Sequence, residues 1–165
     1  MKNILKILGK AVAAIVIALI VLRLTPWWDD LLSPGGRETI TFETLVLTPK
    51  PNQYLVCSPG LCAKAESHQT APEFDRGAAD VRAAVDAIIR ETDAVTMVAE
   101  SGDTINLMVR TPVVRWPDWV TIRFIPLTDG RSTIAIYSRS VYGRKDFGAN
   151  ETRITDWLAQ LSTGS

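Results

Sequence analysis

Three sets of residues in this chain are of types that do chemistry. The densest is the stretch from Ile136 to Arg153, IYSRSVYGRKDFGANETR, which brings Ser138, Ser140, Gly143, Asp146, Gly148 and Asn150 close together. A carboxylate near two serines is a minimal hydrolase pattern, using Asp146 with Ser138 or Ser140. No histidine stands in the stretch to activate either hydroxyl, and serine nucleophiles need such a base. The competing reading is a strand-to-helix turn. Gly143 and Gly148 supply backbone freedom, Asp146 bonds turn amides, Asn150 N-caps a final helix, and Glu151 suits the positive end of that helix. A phosphate-cradling loop also places glycines before a helix, but the spacing matches neither the P-loop nor the dinucleotide fingerprint.

The second set is Cys57, Cys62 and His68, the last being the only histidine of the chain. Two cysteines five apart around Pro59-Gly60 can close a tight loop, and a structural disulfide is the favoured reading in an oxidising compartment. A redox-active pair normally has two intervening residues rather than four, and no thioredoxin-like pattern surrounds this one. A metal site from Cys57, Cys62 and His68 lacks an obvious fourth ligand, although Glu66 and Glu73 are near in sequence. No metal or other cofactor is therefore expected, and His68 reads as a loop or surface residue.

The third set is Arg110, Trp119, Tyr137 and Arg139. Strand parity puts them on one face of a sheet, with Arg139 opposite Trp119, provided the connection through Pro112 and Pro117 keeps the face. Arginines beside an aromatic suit a carboxylate or phosphate group. The alternative is internal, each guanidinium pairing with Asp118, Asp146 or a helix C-terminus to lock the domain.

The elements that must position these residues follow from charge and periodicity. Residues 1–28 hold four of eighteen basic groups (Lys2, Lys6, Lys10, Arg23) and no acidic one, so the remainder carries fourteen basic against eighteen acidic groups, a net of −4. A mildly acidic domain does not favour a nucleic-acid partner. Ala11 to Leu22 is an unbroken apolar run, and the segment from Ile4 to Leu24 is long enough to cross a bilayer with its cations snorkelling. A cleaved signal peptide is the alternative, but Leu22-Arg23-Leu24-Thr25-Pro26 offers no small-x-small site. Lysines before the span and Asp29 and Asp30 after it orient the N-terminus inward, with Trp27 and Trp28 at an aromatic belt.

Ile40 to Leu47 reads as a first strand ended by Pro49 and Pro51. Gln69 to Phe74 is a candidate second strand, and Asp75 the N-cap of a helix running to Glu91, with Val81, Val85, Ile88 and Ile89 on its apolar stripe. Two hairpins follow. A three-residue loop at Glu100-Ser101-Gly102 predicts pairing of 99 with 103 and 97 with 105. The same loop type at Thr128-Asp129-Gly130 predicts 124 with 134 and 122 with 136, so that isoleucines share a face. Ile154, Trp157, Leu158 and Leu161 then recur at helical spacing.

Taken together, Tyr137-Ser138-Arg139-Ser140, Gly143, Asp146-Phe147-Gly148, Asn150 and Arg153 resemble the C-terminal signature of an uncharacterised family, domain of unknown function 1499. Tyr54-Leu55-Val56-Cys57 through Cys62, Arg110-Thr111-Pro112 and Pro117-Asp118 resemble a membrane-anchored bacterial branch of it. The resemblance covers residues 50 to 162. It implies no reaction, but it implies that Arg110, Asp118, Arg139, Asp146 and Asn150 form a linked set.

These readings give an α+β protein: an N-terminal transmembrane helix, then a curved antiparallel sheet of four to six strands with one helix before the main strands and a C-terminal helix packed on it. The domain plan is a membrane anchor over 1–28, a linker over 29–39 and a single domain over 40–165. The expected role is a non-catalytic envelope module in the inner membrane, its domain on the periplasmic side, that binds a partner protein or an anionic or lipid-like ligand through Arg110, Trp119, Tyr137 and Arg139. A hydrolase at the 138–150 loop and redox or metal work at Cys57 and Cys62 are the alternatives. Asp118, Gly143, Asp146, Gly148, Asn150 and Arg153 are expected to be structural.

Overall fold

The computed structural model of the chain describes residues 2–33 and 40–163. Helix α1 (Lys2–Arg23) carries apolar side chains all round and buries none of them against the rest of the protein. Its 22 residues span ~33 Å, enough for a ~30 Å hydrocarbon layer. It is compatible with a single-pass membrane anchor. A short helix α2 (Pro26–Leu31) follows, opened by a proline whose missing N–H costs nothing at that position. Of the expected linker over 29–39, Asp29 to Leu31 belong to α2, and residues 34–39 lie outside the described residues.

The domain is α+β. Strand β1 (Gln53–Cys57) is followed by two short strands, β2 (Gln69–Thr70) and β3 (Glu73–Phe74), and by α3 (Ala78–Glu91). Four strands and a helix then alternate in the expected order: β4 (Val95–Ser101), β5 (Thr104–Arg110), β6 (Pro117–Pro126), β7 (Ser132–Ser140) and α4 (Ala149–Thr163). The sheet runs β2-β1-β7-β6-β5-β4, with β3 also on β7, and is antiparallel except for the parallel β1–β2 pair. The candidate strand over 69–74 divides at Pro72, which has no N–H to give a ladder, so β2 pairs with β1 and β3 with β7.

Both faces of the sheet are covered. On one, α3 and α4 lay Val81, Val85, Ile88, Ile154, Trp157, Leu158 and Leu161 over Ile105, Leu107, Val120, Ile122, Ile134 and Ile136. Each such buried aliphatic side chain contributes roughly 1.5–3 kcal/mol relative to exposure. The other face is closed by a smaller cluster of Phe42, Leu45, Leu55, Cys57, Cys62, Ala135 and Tyr137.

Three local expectations are corrected. Residues 40–47 form no strand: a 3₁₀ turn at Phe42–Thr44 throws Phe42 and Leu45, three apart, onto the same side and into the smaller core. Helix α3 starts after Gly77 rather than Asp75. The β4–β5 hairpin turns at Gly102-Asp103, pairing Ser101 with Thr104, Ala99 with Asn106 and Met97 with Leu107. A bulge at the step from Met97 to Ala99 absorbs the extra residue and returns Val95 to the core side, opposite Val109. The β6–β7 register is as expected, with Phe124 opposite Ile134 and Ile122 opposite Ile136.

Candidate functional site

The stretch from Ile136 to Arg153 is a strand-to-helix turn whose polar groups are bonded to one another. Asp146 accepts hydrogen bonds from the backbone N–H of Gly148 (3.2 Å) and Asn150 (3.0 Å) and from Asn150 Nδ2 (2.7 Å). It is therefore Asp146, not Asn150, that satisfies the orphan amides at the start of α4. Gly148 (φ +82°) makes the reversal, and its carbonyl accepts the first helical bond, from Thr152. Asn150 lies one step inside the helix and turns its buried side chain inward. Its Oδ1 accepts from Ser138 Oγ (2.5 Å) and Arg153 Nη1 (3.0 Å), while Nδ2 also donates to the Asn52 carbonyl and Ser140 Oγ, both at 3.2 Å.

Arg153 extends this clasp to the start of β6. Its Nη2 donates to Asp118 Oδ2 at 2.6 Å, and its Nη1 to Ser138 Oγ at 3.1 Å. Asp118 is only 1% exposed, and its Oδ1 meets no donor among the described residues. Asp118, Asp146, Asn150 and Arg153 thus sit in one network that ties β1, β6, β7 and α4 together. Neither the Ser138 nor the Ser140 hydroxyl donates to the Asp146 carboxylate; both are bonded to Asn150.

The arginine end of the sheet is organised differently. Arg110 faces Pro117 and Met108 faces Trp119 across β5 and β6, and Trp119 faces Arg139 across β6 and β7. Trp119 and Tyr137 are buried, and the Tyr137 hydroxyl donates to Gln53 Oε1 at 2.6 Å. Arg110 turns to the anchor: Nη2 donates to the Asp29 carbonyl (3.0 Å), Nη1 to the Arg115 carbonyl (3.1 Å), and Nε lies 3.6 Å from Asp29 Oδ2. Arg115 grips the same carboxylate with two nitrogens, at 2.6 and 2.5 Å. The hydrogen bond from Arg115 holds the Asp29 carboxyl below the usual carboxylate range, with Arg110 and Arg23 adding to it and partial burial opposing. The same bond raises the Arg115 guanidinium.

Two more contacts fix the end of the apolar helix to the loop between β5 and β6. Arg23 Nε donates to the Val113 carbonyl at 2.8 Å and Nη2 to Pro112 at 3.3 Å, while Trp28 Nε1 donates to Val114 at 2.7 Å. Sequence reasoning missed this docking. Its only signal was the pair of aspartates directly after the apolar run, read there as topology determinants rather than as partners for arginines more than eighty residues on.

Beside the docked loop lies a groove of about 480 Å³. Pro112, Val113, Val114 and Trp116 form one wall, and Tyr142, Lys145, Phe147 and Ala149 the other; the buried Asp118 and the half-buried Ser140 also border it. Trp116 and Tyr142 meet edge to face across the gap, ring centroids 5.6 Å apart. At the rim Phe147 is 96% and Val113 80% exposed. Phe147 also sits at φ +55°, a left-handed conformation that a bulky residue rarely adopts. Sequence reasoning did not single out Val113, Trp116 or Tyr142, and named Phe147 only within the family signature, because isolated apolar residues in a loop carry no periodic signal.

Cys57 and Cys62 are joined in a disulfide within the smaller core. His68 Nδ1 accepts the backbone N–H of Leu55 at 3.0 Å, and its ring lies 5.2 Å from that of Tyr54, which accounts for its place in the loop.

Comparison with known proteins adds one match. The model of a family described as protein of unknown function (DUF1499) matches residues 46–161, well over half of the chain. No curated protein matches the sequence.

Proposed function

The chain belongs to the DUF1499 family, whose description names no reaction, and from that premise we propose that it is a non-catalytic, membrane-anchored module that holds the apolar part of a lipid-like ligand in the groove between Val113 and Phe147. The observation that carries this reading is the groove itself: an apolar trough whose rim exposes Val113 and Phe147, in a wall bonded directly to the end of the apolar helix. Exposed apolar side chains that converge on one trough favour an apolar ligand.

The polar residues nearby do not favour catalysis. Asp146 is committed to the amides of α4, and both serines to Asn150, which leaves no base poised on a nucleophile. Nor does Arg110 favour an anionic ligand, since it already holds Asp29. By the charge pattern around α1 the domain lies outside the cytoplasm, in the periplasm of an envelope with two membranes.

The test is to extract the full chain in detergent and weigh it intact in a mass spectrometer. Wild type should retain a lipid-like adduct, and the double substitution Val113→Asp with Phe147→Asp should lose it. Both positions are exposed, so folding is not at stake. Adducts equal in the two proteins, or absent from wild type, would refute the reading.

A further inference from the structure

The turn that borders the groove has a second feature the ligand site does not require. Within residues 141–148 the exposed side chains are Tyr142, Arg144, Lys145 and Phe147. Neither Arg144 nor Lys145 takes part in an ion pair among the described residues. Phe147 gains nothing from the fold: its ring is 96% exposed, and its backbone adopts a conformation that glycine would fill at lower cost. An aromatic held out in solvent on a strained backbone, with two cations two and three residues before it, has the composition of an element that enters a membrane interface.

The geometry supplies the direction. If α1 spans the hydrocarbon layer, its last residue, Arg23, lies at the headgroup boundary. The Arg23 guanidinium bonds the carbonyls of Pro112 and Val113, which puts that loop at the same level. Val113 and Phe147 line the same groove, so the turn borders the loop that the end of the anchor holds. Trp27 and Leu24 are also exposed at the end of the anchor.

We propose that the 142–147 turn is a second membrane contact: Phe147 and Tyr142 dip into the outer face of the same bilayer, and Arg144 and Lys145 meet anionic phospholipid headgroups. The domain then rests on the membrane at two points, the docked anchor and this turn, and the mouth of the groove opens onto the lipid surface. The contact stands on exposure, charge and proximity to the anchor, and holds whether or not the groove carries a ligand.

The test uses the full chain in lipid nanodiscs, with an environment-sensitive dye on Phe147→Cys and, as the control, on Thr128→Cys at the far end of β6. In discs containing phosphatidylglycerol, the dye at 147 should shift to the blue and be quenched by shallow spin-labelled lipids, while the dye at 128 should do neither. Two cations near an anionic surface should raise the ratio of inserted to free turn by roughly 30-fold. Discs of phosphatidylcholine alone, or the added substitutions Arg144→Glu and Lys145→Glu, should therefore remove most of the quenching. A dye at 147 as water-exposed as the one at 128 would overturn the proposal. Quenching that ignores both lipid charge and the glutamate substitutions would overturn the headgroup contact. Absence of a lipid adduct from wild type in the mass measurement, with quenching at 147 retained, would refute the groove reading alone.

Discussion

Two patches within a few residues of each other, the clasp behind α4 and the rim of the groove, treat their side chains in opposite ways. In the clasp, residues with the look of an active site are buried and bonded: Asn150 bonds Ser138, Ser140 and the Asn52 carbonyl, and Arg153 bonds Ser138 and Asp118. At the rim, residues with the look of a core are left in the open, Phe147 and Val113 above all. Polar residues bonded to one another specify one arrangement of strands and helix, whereas apolar residues left without protein partners offer surface to something else. The density of special residues between 136 and 153 therefore marks how the turn is built. Its most exposed residue, Phe147, is where the proposed contacts are made.

Removing a member of the clasp is the most severe way to probe that contrast. Arg153→Ala would leave the buried Asp118 carboxylate without its partner, and should cost about 3–5 kcal/mol in urea unfolding. A loss under about 1 kcal/mol would mean that the clasp behaves like a surface ion pair and that the contrast with the rim is false.

The next effect concerns the docked anchor. The carboxyl of Asp29 is held low by Arg115, so its contribution is present above the ordinary carboxylate value and is lost as pH falls through the depressed one. Hydrogen-exchange protection in the 111–116 loop, taken relative to intrinsic exchange at each pH, should be flat through neutral and mildly acidic pH and should fall only below about pH 4. Asp29→Asn should already lack that protection at neutral pH and should differ little from wild type at the acid end. Release already near neutral pH would show that the pair does not hold the loop.

The smallest effect on stability belongs to the rim. Phe147→Gly removes an exposed ring and relieves a positive φ, so unfolding free energy should stay within about 0.5 kcal/mol of wild type or rise. A large loss would make Phe147 a structural residue and return the rim to the same class as the clasp.

Much of the frame was legible in the sequence, for reasons that can be named. The β6–β7 register followed from a left-handed turn at Asp129 and Gly130 together with isoleucines that had to share a face. The final helix followed from Ile154, Trp157, Leu158 and Leu161 at helical spacing. The β4–β5 register did not follow, because a bulge at the Met97–Ala99 step shifts the parity that the turn implied. Residues 40–47 looked like a strand because β-formers also fill a plug, and what decides between the two is whether a neighbouring strand is free to pair. Three of the four candidate ligand residues divided by environment: Trp119 and Tyr137 are core, and Arg110 belongs to the anchor contact. That contact joins residues more than eighty apart through carbonyls and one aspartate, which no local pattern encodes. The groove depends on the approach of two loops, and neither carries a motif for it.

The most direct test of the central claim is a photoactivatable acyl-chain lipid cross-linked to the full chain in nanodiscs, with the adducts mapped by peptide. Adducts at 111–116 and 141–149, in addition to those along α1, are the expected result. Adducts confined to α1 would contradict it, because the groove would then meet no lipid at all.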